Sequence, residues 1–145
     1  MNTQQTKAQN NFFNLHVTGI GYLNDIREVT PPKKGNPFLA CRIAALVGDS
    51  SNPEYRYFDC NVVGEKAENL IKRCQNAVQE KKKVLISFTL GDLWTDTFVY
   101  SKDSDFHKKG DVGVSLKSRL INIRMIKVDG VLKYKDEKES SNEES

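Results

Sequence analysis

Hydrophobic and polar residues alternate over most of the chain, in the two-residue period of β-strands. Three such stretches come first, at residues 12–29, 38–47 and 55–63. The first contains Gly19 and Gly21, and glycines inside a strand pattern predict a bulge or a sharp bend. The first half of the chain is therefore predicted to form three consecutive strands.

The period changes after the third stretch. Between residues 64 and 82 the apolar residues recur at spacings of three and four, which predicts a helix with one apolar face. Alternation returns at residues 84–100 and 114–128, and an Asp-Gly pair then predicts a turn into a short hairpin strand at residues 131–134. In the fourth strand, the residues predicted to face inward are Val84, Ile86, Phe88 and Leu90.

Two irregularities are expected in the last long strands. Gly91 and Asp92 predict a turn that interrupts the fourth strand. In the fifth strand the apolar residues predicted to face inward change parity, from Leu116 and Leu120 to Ile121, Ile123 and Met125. A change of parity within one strand requires an extra residue, so we expect a bulge near Leu120.

The predicted order of elements is strand, strand, strand, helix, strand, strand. This is the order of the OB-fold, a Greek-key barrel whose outer face and loops bind oligonucleotides. We therefore predict a mainly β protein, a five-stranded OB-fold barrel with one helix between strands 3 and 4. Other five-stranded α+β folds share this order and are the alternative. The predicted domain spans residues 12–134, between a disordered polar arm at 1–11 and an acidic disordered tail at 135–145.

Composition is consistent with one soluble domain. The chain has 145 residues, of which 38% are hydrophobic and 28% charged, and no apolar run approaches the ~20 residues that span a bilayer. The net charge of +3 hides an asymmetry, because residues 1–134 hold 20 bases and 14 acids. A basic body with an acidic tail is typical of nucleic-acid binders, although ordinary solvated surface has the same composition.

The cysteines and the N-terminus indicate the compartment in which the protein works. Residues 1–11 are polar, with Lys7 as the only charged residue, and do not resemble a secretory signal. Cys41, Cys60 and Cys74 form no CxxC pair and are odd in number. We therefore expect a cytoplasmic protein without a disulfide framework, a metal site or a cofactor.

Aromatic residues interleaved with basic ones are the main functional signal. Proteins that hold single-stranded nucleic acid combine flat side chains that stack on bases with cations that follow the phosphates. The predicted stacking residues are Phe38, Tyr55, Tyr57 and Trp94. Phe98 and Tyr100 are further candidates, but they also suit a core or a subunit interface. The predicted phosphate partners are Lys33, Lys34, Arg42, Arg56, Lys102, Lys108, Lys109, Lys117 and Arg119.

Motifs for catalysis are not found. The two histidines, His16 and His107, lie far apart in the sequence. The chain has no glycine-rich phosphate loop, no HExxH and no nucleophile elbow. We therefore do not expect an enzyme, and a small hydrolase built around His107 is the weakest of the alternatives.

Three segments of the chain resemble bacterial single-stranded DNA-binding proteins. Residues 14–23 (NLHVTGIGYL) are similar to the first strand of that family, and residues 55–70, with Gly64 and Lys66, are similar to its third strand and the start of its helix. Residues 82–90, followed by Trp94, are similar to its fourth strand. The order of elements agrees over about residues 13–128. The nearest resemblance is to the related replication proteins of integrative and conjugative elements.

The resemblance implies an OB-fold, single-stranded DNA binding and self-association as a homodimer or homotetramer. It places Tyr57 and Trp94 at positions where the family has stacking aromatics. Two departures are evident. Val63 stands where the family has a phenylalanine, and the acidic tail lacks the terminal apolar residues with which the family recruits other proteins.

Two functions follow from these observations as hypotheses. The first is a single-stranded DNA-binding protein of a mobile-element replication or transfer system, which binds by aromatic stacking and phosphate neutralisation without sequence specificity, with RNA as an alternative ligand. The second is an OB-fold protein-interaction module in a conjugation or replication complex, in which the same aromatic residues contact replication or conjugation proteins.

Overall fold

The structure, a computed structural model, describes residues 13–136. The predicted arm at residues 1–11 and most of the predicted tail lie outside the described residues. Six strands are formed within the described part: β1 (His16–Val29), β2 (Phe38–Val47), β3 (Glu54–Val62), β4 (Val84–Val99), β5 (Val112–Val128) and β6 (Val131–Lys135). Two short helices, α1 (Glu65–Arg73) and α2 (Gln75–Gln79), connect β3 to β4.

Five of the strands close into a barrel. The sheet has the order β3-β2-β1-β4-β5-β6, and an additional parallel pairing between β3 and β5 closes the ring. All other neighbours are antiparallel, and β6 pairs with β5 outside the ring. The predicted fold class is confirmed: the protein is mainly β, with a closed five-stranded barrel and a small helical segment between strands 3 and 4, consistent with an OB-fold.

The barrel is filled by the inward faces of its strands. Alternation brings every second side chain to the interior. The inward orientation predicted for Val84, Ile86, Phe88 and Leu90 of β4 is confirmed, because each of these residues is 1% exposed or less. Leu70 and Ile71 of α1 join the same core. At Gly21 the backbones of β1 and β2 come so close that a Cβ atom would overlap the main chain at Ala44 and Ala45, so a glycine is needed there.

The helical segment differs from the single helix predicted for residues 64–82. The chain turns at Cys74, whose amide bonds to the carbonyl of Ile71, three residues back, instead of continuing the four-residue pattern. Leu70, Ile71 and Cys74 are buried, while α2 contributes no fully buried residue. Among the described residues no helix has the length and apolar character needed to cross a bilayer.

The bulge predicted near Leu120 is confirmed, but a second bulge follows it. Leu90 pairs with Leu120 and Thr89 with Asn122, which leaves one residue of β5 extra, and the same occurs again between Ile123 and Met125. The predicted inward orientation of Ile121 and Met125 is therefore wrong, because each extra residue reverses the parity. From Ser118 onward, the buried residues of β5 are Ser118, Leu120, Ile123 and Ile126, so the predicted inward orientation of Leu120 and Ile123 is confirmed.

The turn predicted at Gly91 and Asp92 is also wrong. β4 continues through this point with one extra residue opposite β5, and Asp92 takes a φ of 58° in the bulge. Up to Gly91 the strand belongs to the barrel, whereas every residue from Asp92 to Val99 is exposed. These residues and residues 112–117 of β5 form a two-stranded extension of the barrel, here called the ribbon, at whose base Leu116 and Lys117 also pair with β3. In β1 the bulge lies after Asn24 rather than at the glycines.

Candidate functional site

One row of polar and aromatic side chains crosses the outside of the barrel, from β1 to the ribbon. Cross-strand pairing aligns its members directly: Asn24, Arg42, Asp59, Lys117 and Trp94. Paired residues on neighbouring strands project to the same side of a sheet. This set, here called the central row, therefore combines three of the cationic and aromatic residues predicted from the sequence with a carboxylate between two of them.

Asp59 holds the centre of this row together. The Nε atom of Arg42 donates a hydrogen bond to Oδ1 of Asp59 at 3.0 Å, and Nζ of Lys117 lies 3.5 Å from Oδ2. The Asp59 side chain is 15% exposed. Burial by itself would raise the pKa of Asp59, but the hydrogen bond and charge of Arg42, together with the charge of Lys117, outweigh it and hold the pKa below the ordinary value.

The lowered pKa of Asp59 gives a pH-dependent contribution to stability. An acid whose pKa falls on folding stabilises the protein fully above its unfolded pKa, near 3.8, and loses that contribution as the pH falls through the folded pKa. We expect Asp59→Asn to lower the free energy of unfolding at neutral pH, and the difference from the wild type to shrink below pH 4. Urea denaturation at several pH values measures it. A difference that is the same at all pH values would contradict the assignment.

Tyrosines continue the surface beside the central row. Tyr57 lies two residues before Asp59 on β3, so its ring lies on the same face about 7 Å along the strand. It is 57% exposed. The ring centroids of Tyr57 and Tyr55 are 6.4 Å apart, and Tyr22 of β1 lies 6.4 Å from Tyr55. The three rings form a line of accessible aromatic faces across β1 and β3.

The ribbon adds further aromatic side chains. Trp94 is 37% exposed, and it pairs with Lys117. Phe98 pairs with Gly113, where a Cβ atom would overlap the phenylalanine ring, so the glycine lets this ring lie across the partner strand. The rings of Phe98 and Tyr100 meet edge-on, with their centroids 4.8 Å apart. The ribbon therefore continues the aromatic surface beyond the barrel wall.

A recess lies between the outer face of β3 and the ribbon. Its volume is about 230 Å³, and Tyr57 and Phe98 are among its lining residues. Arg42 and Asp59 line it as well, together with Ser115 and two aliphatic residues of β5. This ribbon recess combines aromatic side chains with a guanidinium and a carboxylate.

The neighbouring row carries the second cation of β5. Arg119 pairs with Asn61 of β3 and lies 3.6 Å from the carboxylate of Asp92. Phe38, at the start of β2, lies on the same face of the strand as Arg42 and is partly buried. Both extend the face that bears the central row towards the loop between β1 and β2.

The remaining predicted lysines lie on loops at the two ends of this face. Lys33 and Lys34 are exposed in the loop that precedes Phe38, and Lys102, Lys108 and Lys109 are exposed in the loop at the end of the ribbon. Aspartates shape the second loop, where Asp103 and Asp111 accept hydrogen bonds from the amides of Lys109 and Lys108.

Arg56 is separate from the other predicted residues. Alternation places it on the opposite side of β3 from Tyr55 and Tyr57, and its guanidinium lies 3.7 Å from Glu54. The structure thus brings Arg42, Tyr57 and the β5 cations together, flanks them with the two lysine loops, and leaves Arg56 outside.

Sequence reasoning did not assign two members of this surface. Asp59 was not among the candidate residues, since its position between Arg42 and Lys117 depends on the pairing of β3 with both β2 and β5. Tyr22 joins the tyrosine line only because its partner Ala44 has a small side chain and pairs in turn with Tyr57. Tyr22 has the parity of Thr18 and Asn24 in β1, and this shared face would have indicated it.

Residues 13–136 contain no cluster of three or more histidine, cysteine, aspartate or glutamate side chains arranged to hold a metal ion. His107 instead stacks on Tyr100, with ring centroids 3.4 Å apart. The histidine that sequence reasoning weighed as a hydrolase residue therefore packs against an aromatic ring in the loop at the end of the ribbon.

Comparison with protein families matches residues 6–142 to a family described as protein of unknown function, DUF3577. Comparisons with curated proteins and with solved structures found no match. Because the family match spans almost all of the 145 residues, the chain belongs to the DUF3577 family.

Proposed function

We propose that this protein binds single-stranded DNA along the outer face of the barrel and the ribbon, without sequence specificity over most of the bound strand. Bases stack on Tyr57 and Trp94, and phosphates contact Arg42, Lys117 and Arg119. The lysine loops at the two ends lengthen the track. The resemblance to single-strand-binding proteins of mobile elements favours a cytoplasmic role in their replication or transfer.

The observation that carries the proposal is the pairing of aromatic and cationic side chains on one face. Trp94 lies directly opposite Lys117, and Tyr57 lies on the same face as Asp59, which contacts both Arg42 and Lys117. Single-stranded nucleic acid requires this combination, because every base has a flat face and every nucleotide a phosphate. An OB-like barrel is compatible with such binding at this face.

The cations of the central row are partly neutralised before a ligand arrives. Arg42 and Lys117 share the Asp59 carboxylate, and Arg119 lies close to Asp92. A phosphate must therefore compete with a carboxylate at each of these three positions. We infer that stacking supplies orientation and much of the affinity, whereas the exposed loop lysines supply most of the long-range attraction.

Salt dependence is the first test of this function. We expect an oligo-dT strand to quench the fluorescence of Trp94, the only tryptophan of the chain, and the affinity to fall as salt rises. In a plot of the logarithm of the binding constant against the logarithm of the salt concentration, each neutralised phosphate of a single strand contributes about −0.7 to the slope. Arg42, Lys117 and Arg119 alone would therefore give a slope of about −2. Fluorescence titration between low and physiological salt measures the slope.

Duplex DNA of the same length serves as the control for this titration, because its bases are not free to stack on Tyr57 and Trp94. We expect weak binding of the duplex and little quenching. The absence of both quenching and a gel shift with oligo-dT at low salt would reject single-strand binding.

A protein-binding role is the second candidate, and one observation favours it. Val99, Val112 and Val114 of the ribbon are exposed by 63–68%, and aliphatic side chains neither stack on bases nor neutralise phosphates. Exposed apolar surface of this kind is typical of protein interfaces. Self-association through β6, where Val131 and Leu132 are exposed, is a related proposal. A partner protein retained after nuclease treatment, without any oligonucleotide affinity, would favour this role.

A further inference from the structure

The ribbon recess contains hydrogen-bonding groups that stacking does not require. Asp59 and Arg42 line it between the aromatic residues Tyr57 and Phe98. Pockets for drug-sized ligands measure roughly 300–1,000 Å³, so a recess of about 230 Å³ suits one base better than a larger molecule.

The two charged groups have bonding capacity left in the free protein. Arg42 uses its Nε atom for Asp59, which leaves the two Nη amino groups of the guanidinium as donors. The two oxygens of Asp59 together have about four acceptor positions, of which Arg42 and Lys117 approach one on each oxygen. A base edge that offers donors to the carboxylate and an acceptor to the guanidinium would satisfy both.

Guanine has such an edge. Its N1–H and N2–H₂ groups are adjacent donors that match a carboxylate, and its O6 and N7 atoms are the acceptors that arginine contacts most often. Adenine and cytosine each offer a carboxylate one exocyclic amino group, and thymine offers only its N3–H, so guanine alone has two adjacent donors. We infer that the ribbon recess is a guanine-binding subsite, in which Asp59 accepts from N1–H and N2–H₂, Arg42 donates to O6 or N7, and the base lies against Tyr57 and Phe98.

This inference rests on the proposed single-strand binding and adds a preference at one position of a track that otherwise accepts every base. The other stacking residues, Trp94 and Tyr55, do not line this recess. One guanine within a bound strand is therefore sufficient to occupy the subsite.

The test compares oligo-dT with the same strand carrying a single central dG, by fluorescence anisotropy of a labelled end. We expect the dG strand to bind about tenfold more tightly, as a good bidentate pair provides. A strand with a single deoxyinosine, which lacks the N2 amino group, should lose most of this gain. Equal affinity for all three strands would overturn the guanine subsite, whereas failure of all three to bind would instead overturn single-strand binding itself.

Two variants separate recognition from charge. Asp59→Asn should abolish the preference for dG and strengthen oligo-dT binding, because Arg42 and Lys117 are then released for phosphates. Asp92→Asn is the matched control, since it makes the same chemical change beside Arg119, outside the recess. It should leave the dG preference at its wild-type value. A preference that survives Asp59→Asn, or disappears with Asp92→Asn, would contradict the assignment.

Discussion

Replacing Tyr57 and Trp94 together by alanine should abolish most binding of single-stranded DNA. Base stacking on one aromatic side chain contributes about 1–3 kcal/mol, which corresponds to roughly 5- to 150-fold in affinity. Because the two rings belong to different strands and are both accessible, their losses should largely add, and the double variant should bind at least about 30-fold more weakly. Anisotropy of a labelled oligo-dT measures this without relying on Trp94 fluorescence.

A variant that retains both rings is the control for this experiment. Tyr57→Phe combined with Trp94→Phe keeps two flat rings. The first change removes the phenolic hydroxyl, and the second replaces the indole by the smaller phenyl ring. Its affinity should stay within about fivefold of the wild type, since phenylalanine stacks less strongly than tryptophan. If the alanine pair binds as well as the phenylalanine pair, the stacking surface lies elsewhere on the protein.

Base composition provides a second comparison for the same variants. Stacking is tolerant of sequence, so the alanine pair should weaken binding of oligo-dT and of mixed strands without guanine by similar factors. Asp59→Asn should act differently, because it removes the preference for guanine without weakening the binding of oligo-dT. The aromatic residues and the carboxylate would then have separate roles, one in holding any strand and the other in selecting one base.

The inside and outside of the barrel could be predicted from the sequence because strand alternation is a local property. Val84, Ile86, Phe88 and Leu90 occupy every second position of β4, and all four are buried as expected. The same parity placed Tyr57 on the outer side of β3, where it is exposed. A period of two requires no knowledge of the partner strand.

The arrangement of the site could not be predicted, because it depends on register between distant strands. Asp59 meets Lys117 through a parallel pairing of β3 with β5 that no local pattern encodes. The bulges near Ile121 and Asp92 change which side chains share a face, and each is decided by packing against β4 or β5. Residue types therefore indicated the chemistry of the surface, while the barrel decided which of them meet.

Replacing Phe88 by alanine should have the largest effect on stability. Its ring is 1% exposed in the barrel core and lies against Gly19 of β1, where a Cβ atom would come within 3.2 Å of it. Removal of a buried phenylalanine ring costs about 3–5 kcal/mol because of lost burial and the remaining cavity. For a domain of this size we expect the melting temperature to fall by roughly 10–20 °C, measured by circular dichroism.

Phe98→Ala is the matched control, since it makes the same chemical change on the ribbon, where the ring is 41% exposed. It should cost about 1 kcal/mol or less in stability, mainly through the lost contact with Tyr100, but it should weaken DNA binding. Phe88→Ala should lower stability strongly and leave DNA binding intact. At a temperature where this variant remains folded, the outer face of its barrel is unchanged. If Phe88→Ala weakened DNA binding more than Phe98→Ala while still folded, the ligand would have to contact the barrel somewhere other than the central row and the ribbon.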